Sequence, residues 1–311
     1  MLGAGGFATV FHSQHNEIEI AVKTEKFSKS LLKTEIVVLK AAMKGNCEHF
    51  CELIDYGTKS NDFDYMMITL LGKNLHKLRC ERPDRKFSIN TALRIGIQTL
   101  KACEELHRIG FVSRDVKPGN FAPGLKANGQ TRTIFMYDFG LARRYVDKNN
   151  QIKPARKEVG WRGTTRYGSL NAHKRKDLGR RDDLESWFYG LVEMTRGTLP
   201  WINIVGKRGG HHERNHVQKA KVASRSAGRT QFLFETPSQY EKIFNLINSY
   251  SFESAPDYKQ INKYLDEALR DREHWDWENE TVSSTSPTIT TITKISNTYN
   301  TYNTYNTVNT R

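Results

Sequence analysis

The apolar periodicity changes once along the chain, and that change restricts the fold more than any single motif. Residues 17–23, EIEIAVK, alternate strictly. Ile18, Ile20 and Val22 share one face and Ala21 and Lys23 the other, the pattern of a strand. Residues 28–44 place Leu31, Val38, Leu39 and Ala42 on one helical stripe, and Glu35 falls on that same stripe. Residues 64–72, DYMMITLLG, read as a buried strand closed by Gly72. Beyond residue 72 the pattern is mostly helical. Ser88 to Gly110 is the clearest helix, with Ser88 able to cap its start and Gly110 to end it. Ile89, Leu93, Ile97, Leu100, Cys103 and Leu106 supply its inner face. A short strand is predicted over 133–138 and a central helix, apolar nearly all round, over 183–196. Further helices are predicted over 238–249 and 257–271. A strand-rich part followed by a larger helix-rich part predicts a two-lobed α+β fold.

Charge narrows the partners. The 311 residues carry a net charge of +14, which implies acidic partners: nucleic acid, anionic lipid, or acidic and phosphorylated protein. From Arg143 to Asp183 there are thirteen Lys and Arg against five Asp and Glu, over half the total excess in 41 residues. No apolar run reaches the length of a membrane span, and the first residues lack the pattern of a signal peptide. Cys47, Cys51, Cys80 and Cys103 show no C-x-x-C spacing and read as reduced thiols of a cytosolic or nuclear protein. From Thr281 on, Thr, Ser and Asn dominate and TYN repeats from Thr298, so a disordered, low-complexity tail over 281–311 is expected.

Four motifs carry chemistry. Gly3, Gly5 and Gly6 form a glycine-rich turn ahead of Val10, of the kind that lets backbone N–H groups approach phosphate. A strand, not a helix, follows it, which argues against a dinucleotide-binding turn. Lys23 on its strand and Glu35 on a buried helical face each supply what the other lacks, and the pair would hold the ammonium toward a nucleotide's phosphates. In FVSRDVKPGNFAPG, Pro118 and Gly119 mark a loop from which Asp115, Lys117 and Asn120 project. Asp115 would accept the proton of an attacking hydroxyl, and Lys117 would stabilise the transferring phosphoryl group. Asp138, opening Asp138-Phe139-Gly140 at the end of a strand, could bind Mg²⁺ with the amide oxygen of Asn120, because that ion prefers few carboxylates. The histidines His211, His212 and His216 in GKRGGHHERNHVQK read as a solvated insert and not as a metal site.

The order of glycine loop, strand Lys, helix Glu, R-D-x-K-x-x-N and D-F-G is the signature set of protein kinases. The chain resembles the eukaryotic protein kinases from residue 2 to about 280. RDVKPGNFAPG, DFGLARRY, WRGTTRYGSLNAH, GRRDDLESWFYGLVEM and SAPDYKQI, with DWE at 276–278, are similar to the casein kinase I superfamily and its tau-tubulin kinase-like branch. The resemblance implies a small N-lobe over about 1–70 and a helical C-lobe over about 71–280. It implies ATP and Mg²⁺ as cofactors, with Asp115 as proton acceptor, Lys23 on the α- and β-phosphates, and Asn120 and Asp138 on the metal. It places Ile68 as gatekeeper and Thr69 to Leu71 as hinge, and it lines the adenine slot with Leu2, Val10, Ala21 and Ala122.

Several features depart from the general kinase pattern. Ser113 stands where His usually precedes Arg114, and Ala8 where the third glycine would be. The chain also begins almost at the glycine loop, so its N-lobe is expected to lack most of the first strand. Ser169-Leu170-Asn171 stands in place of the usual Ala-Pro-Glu, as the resemblance to the casein kinase I type implies. The expected function is transfer of the γ-phosphoryl of ATP to Ser and Thr of protein substrates that are acidic or already phosphorylated. Arg162 and Arg166 are expected to bind the substrate's anionic groups, within a basic set that includes Lys174, Arg175, Lys176, Arg180 and Arg181. The alternative is a pseudokinase that binds phosphoproteins; nucleic-acid binding is a distant third.

Overall fold

The computed structural model describes residues 3–4, 8–15, 18–26, 30–59, 62–204, 210–270 and 274–278. Leu2, Gly5, Gly6 and the 281–311 tail lie outside them. The first lobe is an antiparallel sheet with one helix. Strands β1 (Gly3–Ala4), β2 (Ala8–His15), β3 (Ile18–Lys26), β4 (Leu53–Lys59) and β5 (Phe63–Thr69) run in the order β1-β2-β3-β5-β4. The register sets Val10, Lys23 and Met66 in one row across the sheet, and Ala21 beside Ile68 in another. Alternation puts both rows on one face, which becomes the roof of the cleft described below. Strand β1 consists of two residues here, paired as Gly3 with Val10 and Ala4 with Thr9.

Helix α1 (Leu32–Lys44) packs beneath this sheet. Its buried stripe is Leu32, Glu35, Val38, Leu39 and Ala42. Leu31, expected on that stripe, instead precedes the helix and is exposed; Leu32 takes its place. Strand β5 ends at Thr69, short of the expected Gly72. Residues 70–72 cross to the second lobe and bond to it and to β3: Gly72 N donates to Pro123 O, and Leu70 N to Glu19 O.

The second lobe begins with α2 (Leu75–Cys80) and α3 (Ile89–Arg108), followed by short strands β6 (Phe111–Val112), β7 (Phe121–Pro123), β8 (Ile134–Met136) and β9 (Arg143–Arg144). Pairs β6–β9 and β7–β8 fix the two ends of the loop 113–120. Ser88 caps α3 by accepting Thr91 N, and Gly110, at φ +88°, turns the chain out of it. Ile89 is exposed, because it lies in the first turn before the helix enters the core.

The remaining helices are α4 (Leu170–His173), α5 (Arg180–Arg196), α6 (His211–Ala223), α7 (Arg229–Phe232), α8 (Gln239–Ser249) and α9 (Tyr258–Ala268). Helix α5 is buried from Asp182 to Thr195 and forms the axis of this lobe. Phe188 stacks on Phe244 at 5.2 Å and meets Phe232 and Tyr240 edge-on. The segment around His212 and His216 exposes both histidines, as expected, but it is an ordered part of the lobe. It forms α6, and Val217 and Lys221 on that helix are fully buried. Among the described residues no group of three His, Cys, Asp or Glu could hold a metal ion, and no helix is long and apolar enough to cross a membrane.

Because Phe188 fills the centre of an aromatic cluster that cannot collapse around a void, Phe188→Ala should cost about 3–5 kcal/mol. Urea unfolding should show the midpoint falling with the m-value unchanged.

Candidate active site

Between the two lobes lies a cavity of about 440 Å³. Its roof is Ala8, Val10, Ala21, Lys23 and Met66, its back Ile68, Thr69, Leu70, Leu71 and Gly72, and its floor Tyr137 and Asp138. The volume and the mostly apolar wall with a few converging charges suit a small planar ligand bearing an anionic end.

Lys23 is the charged centre of this cavity. Its Nζ lies 2.5 Å from Glu35 Oε1 and 3.6 Å from both Glu25 Oε1 and Asp138 Oδ1. Burial opposes the ammonium charge, but Glu35, Asp138 and Glu25 outweigh it and raise the Lys23 pKa above its ordinary value. Glu25 also accepts Leu31 N at 2.6 Å, so it ties the start of α1 to β3. Lys23 and Glu25 alternate onto the same strand face, a spacing visible in the sequence but not singled out there. Asp138 is exposed and has φ +65°, and Arg114 has φ +66°. Two non-glycine residues in the left-handed region so close to one cleft indicate backbone held against its preference, as functional loops often are.

The loop 113–120 is held from behind. Asp183, buried at the start of α5, accepts Ser113 N at 2.6 Å and Arg114 N at 2.8 Å. His107 Nε2 lies 3.0 Å from the same carboxylate, and its Nδ1 meets Tyr258 Oη. The serine in place of the usual histidine is therefore accommodated: Ser113 contributes its backbone N–H, and its Oγ accepts Asp115 N at 3.3 Å. In front, Asp115 Oδ2 accepts Lys117 Nζ at 2.6 Å and Oδ1 accepts Thr164 Oγ1 at 2.7 Å. Lys117 reaches Thr164 as well, so three side chains converge. Asn120 Nδ2 donates to Asp115 O, which leaves its amide oxygen as an acceptor. A carboxylate with one long contact and an amide oxygen fit a cation that takes few protein ligands, as Mg²⁺ does. Tyr137 Oη donates to Gly119 O at 2.6 Å and Tyr137 N to Asn120 O, joining the cavity floor to this loop.

The profile of the family described as protein kinase domain matches residues 1–274. The chain belongs to that family. Among its relatives is a probable serine/threonine-protein kinase of Dictyostelium discoideum, 36% identical over 92% of this chain and 57% of that protein. The serine/threonine-protein kinase spe-6 of Caenorhabditis elegans is 38% identical over 83% of this chain and 67% of its own length. Casein kinase I homolog 1 of Saccharomyces cerevisiae is 30% identical over 87% and 50%. The kinase domain thus spans little more than half of the Dictyostelium relative and half of the yeast one.

Most of the expected nucleotide-side residues of this kinase domain meet in one cavity: Val10, Ala21, Lys23, Glu35, Ile68, Thr69, Leu71 and Asp138. Ala122 does not line it. It is buried in β7, paired opposite Phe135, and Tyr137 stands on the floor instead. Gly3 is paired in β1, while Leu2 and Gly5 lie outside the described residues.

The basic segment divides in two. Arg162, Lys174, Arg175 and Lys176 are exposed. Arg180 and Arg181 turn inward to Glu253 O and Tyr250 O, and Arg166 lies against Glu193. Sequence charge alone carried no sign of which cations fold back.

Asp177, also not singled out from sequence, closes the segment after Asp138. Its buried carboxylate binds Arg143 at 2.5 Å and Arg156 at 2.8 Å, and accepts Arg156 N. Burial pushes its pKa up, but hydrogen bonds from Arg156 and Arg143 prevail and hold it at about 2. The folded state therefore binds this proton less readily than the unfolded chain. The stabilisation is full above the ordinary carboxylate pKa of about 4 and is lost as pH falls toward 2. Asp177→Asn should unfold at a lower temperature than wild type at pH 6–7. That gap should narrow as pH drops from about 4 toward 2; a gap independent of pH would contradict the assignment.

Proposed function

We propose that this chain is an ATP- and Mg²⁺-dependent Ser/Thr protein kinase. The observation that carries the reading is the assembled state of both halves of the site. Lys23 is joined to Glu35 across two elements, and Asp115 already receives Lys117 and Thr164. Bound Mg²⁺ would supply neutralisation of charge on the phosphates. Asp138 and the amide oxygen of Asn120 are the groups suited to hold it, and Lys23 faces the place where the phosphates would lie. Asp115, 2.7 Å from the Thr164 hydroxyl, stands where a substrate Ser or Thr hydroxyl can give up its proton as its oxygen bonds to the γ-phosphorus and ADP departs. Lys117 then faces charge on the transferring group. The pseudokinase alternative gains no support from these contacts.

Acidic or phosphorylated substrates follow from the exposed cations Arg162, Lys174, Arg175 and Lys176 and the solvent-facing part of Arg166. Arginine forks suit carboxylate and phosphate, and the attraction should weaken with salt. Cytosolic or nuclear residence agrees with the unpaired thiols.

Asp138→Asn should abolish Mg²⁺-dependent phosphorylation of a protein substrate, and Asp115→Asn should lower kcat by about 10²–10⁴-fold with KM for ATP little changed. Near-normal turnover in either variant would refute the assignment, and inactive wild-type protein that still binds phosphoprotein would favour the alternative. A second expectation concerns activation. Between Arg143 and Trp161 the only side-chain hydroxyl belongs to Tyr145, which is buried and donates to His107 O. Phosphatase-treated protein made in bacteria should retain its activity; a strict requirement for an upstream kinase would overturn this.

A further inference from the structure

At the edge of the peptide side of the cleft, two residues from Thr164, a single carboxylate is shared by two arginines. Glu193 sits inside α5 with its side chain fully buried. One oxygen lies 3.2 Å from Arg166 Nη1 and 3.5 Å from Arg79 Nη2, and the other accepts the Tyr167 hydroxyl at 2.5 Å. Arg79, on α2, is itself almost fully buried and is fixed by Arg85 O at 2.5 Å and Gly197 O at 3.1 Å. A third guanidinium, that of Arg85, is exposed nearby and reaches Cys80 Sγ at 3.4 Å.

A buried arginine and a buried glutamate could have closed on each other as a neutral pair. Here the cations outnumber the carboxylate. If Arg79 were absent, Arg166 and Glu193 would form a one-to-one pair with no charge left for a ligand. In that state neither an acidic nor a basic substrate side chain would meet a net charge there. With Arg79 in place Glu193 is already saturated, and Arg166 keeps charge and a partly exposed side chain. His76, on the same turn of α2, reports the local potential: burial first and then Arg79, Arg166 and Arg85 hold its pKa below the ordinary value, against Glu193.

We propose that Arg79 and Glu193 determine the charge preference of the substrate groove, Arg79 by saturating Glu193 so that Arg166 takes an acidic substrate side chain and a basic one finds no partner. The inference rests on the acidic-substrate reading of this groove. Arg79 and Glu193 act through Arg166 and do not touch the reacting atoms. They are positioning residues, and the expected signature is a change in preference and not in rate alone.

The test uses the whole chain and three peptides that share one phosphoacceptor core and differ only in acidic, neutral or basic flanks. Glu193→Gln removes the negative charge but keeps an acceptor of the same shape. It should raise the ratio of kcat/KM for acidic over basic peptide by about fivefold, the size of one exposed charge interaction. Arg79→Met keeps the volume and removes the positive charge, and should lower that ratio by a similar factor. Opposite shifts from two neighbouring buried substitutions are not expected from structural damage, which lowers all three peptides together. Arg166→Ala separates the two levels of the argument. An unchanged ratio in Arg166→Ala removes both the acidic reading and this inference. A lowered ratio there, with Glu193→Gln and Arg79→Met moving all peptides in parallel or in the same direction, overturns the inference alone. Should Arg79→Met fail to fold, Glu193→Gln decides by itself: a ratio that does not rise refutes the proposal.

Discussion

The whole cleft depends on one buried carboxylate. Asp183 accepts two consecutive backbone N–H groups, from Ser113 and Arg114, and faces His107 on its third side. A buried, unpaired charge would be costly, and a loop with unmatched buried N–H groups equally so; each removes the other's penalty. Its position in the first turn of α5 adds the favourable field of the helix N-terminus. Arg114 can be kept at φ +66° because its amide is gripped there and its Nε bonds Leu141 O. Asp115, the next residue, is aimed by that grip together with its own bonds to Lys117 and Thr164.

The same logic recurs along α5. Asp182 closes the helix start through Gly179 N and also receives Ser169 Oγ and Asn171 Nδ2. Glu185 accepts Leu170 N, the Tyr189 hydroxyl and Arg225. Glu193 takes Arg166 and Tyr167. Four acidic side chains from one buried helix thus hold the loop 113–120, the start of α4, and the segment around Arg166 and Tyr167 before it. The absence of the usual Ala-Pro-Glu is intelligible in these terms. Ser169 caps α4 and Leu170 N is taken by Glu185, so the segment is anchored from the helix side by a carboxylate it does not itself carry. Lys221 completes the anchoring from α6, donating to Thr165 O, Gly168 O and His173 Nε2. Burial, then Lys221 and Arg214, keep that imidazole neutral by holding its pKa at about 3, so Nε2 can accept.

How much of this was legible follows from where each signal lies. Glu35 stood out because a carboxylate on an apolar stripe is locally inconsistent, and the inconsistency named its partner. The α+β division and the central helix were legible because periodicity is a property of neighbours in sequence. Asp183 was not, since an acid at a helix start has a sufficient local explanation in the dipole, and its true partners lie seventy residues away. Leu31 and Leu32 differ by one step of phase, which the start of α1 at Leu32 decides. The α6 segment was half legible: His212 and His216 face solvent, as their setting suggests, whereas Val217 and Lys221, one turn apart, face the core. Likewise nothing in a run of basic residues tells an arginine that turns back to a carbonyl from one that faces water.

The two sides of the cleft end with opposite electrical character, and that follows from how each charge is shared. On the nucleotide side one ammonium, Lys23, is surrounded by Glu35, Glu25 and Asp138 within 3.6 Å. Ionised, that group carries more negative than positive charge, which by itself repels a polyphosphate. A nucleotide bound there, as proposed, would need a divalent cation to reverse the balance, and Asp138, the one carboxylate of the three that faces solvent, would be the group to receive it. On the peptide side the ratio is inverted: Glu193 meets Arg79 and Arg166, and Asp177 meets Arg143 and Arg156. Both of these buried acids are matched by two guanidinium groups, so the contacts that fix the loop also leave it with an excess of positive charge. On the proposed function, an acidic substrate would be drawn to one wall while the phosphates lie against the other, with Asp115 and Lys117 at the junction between them.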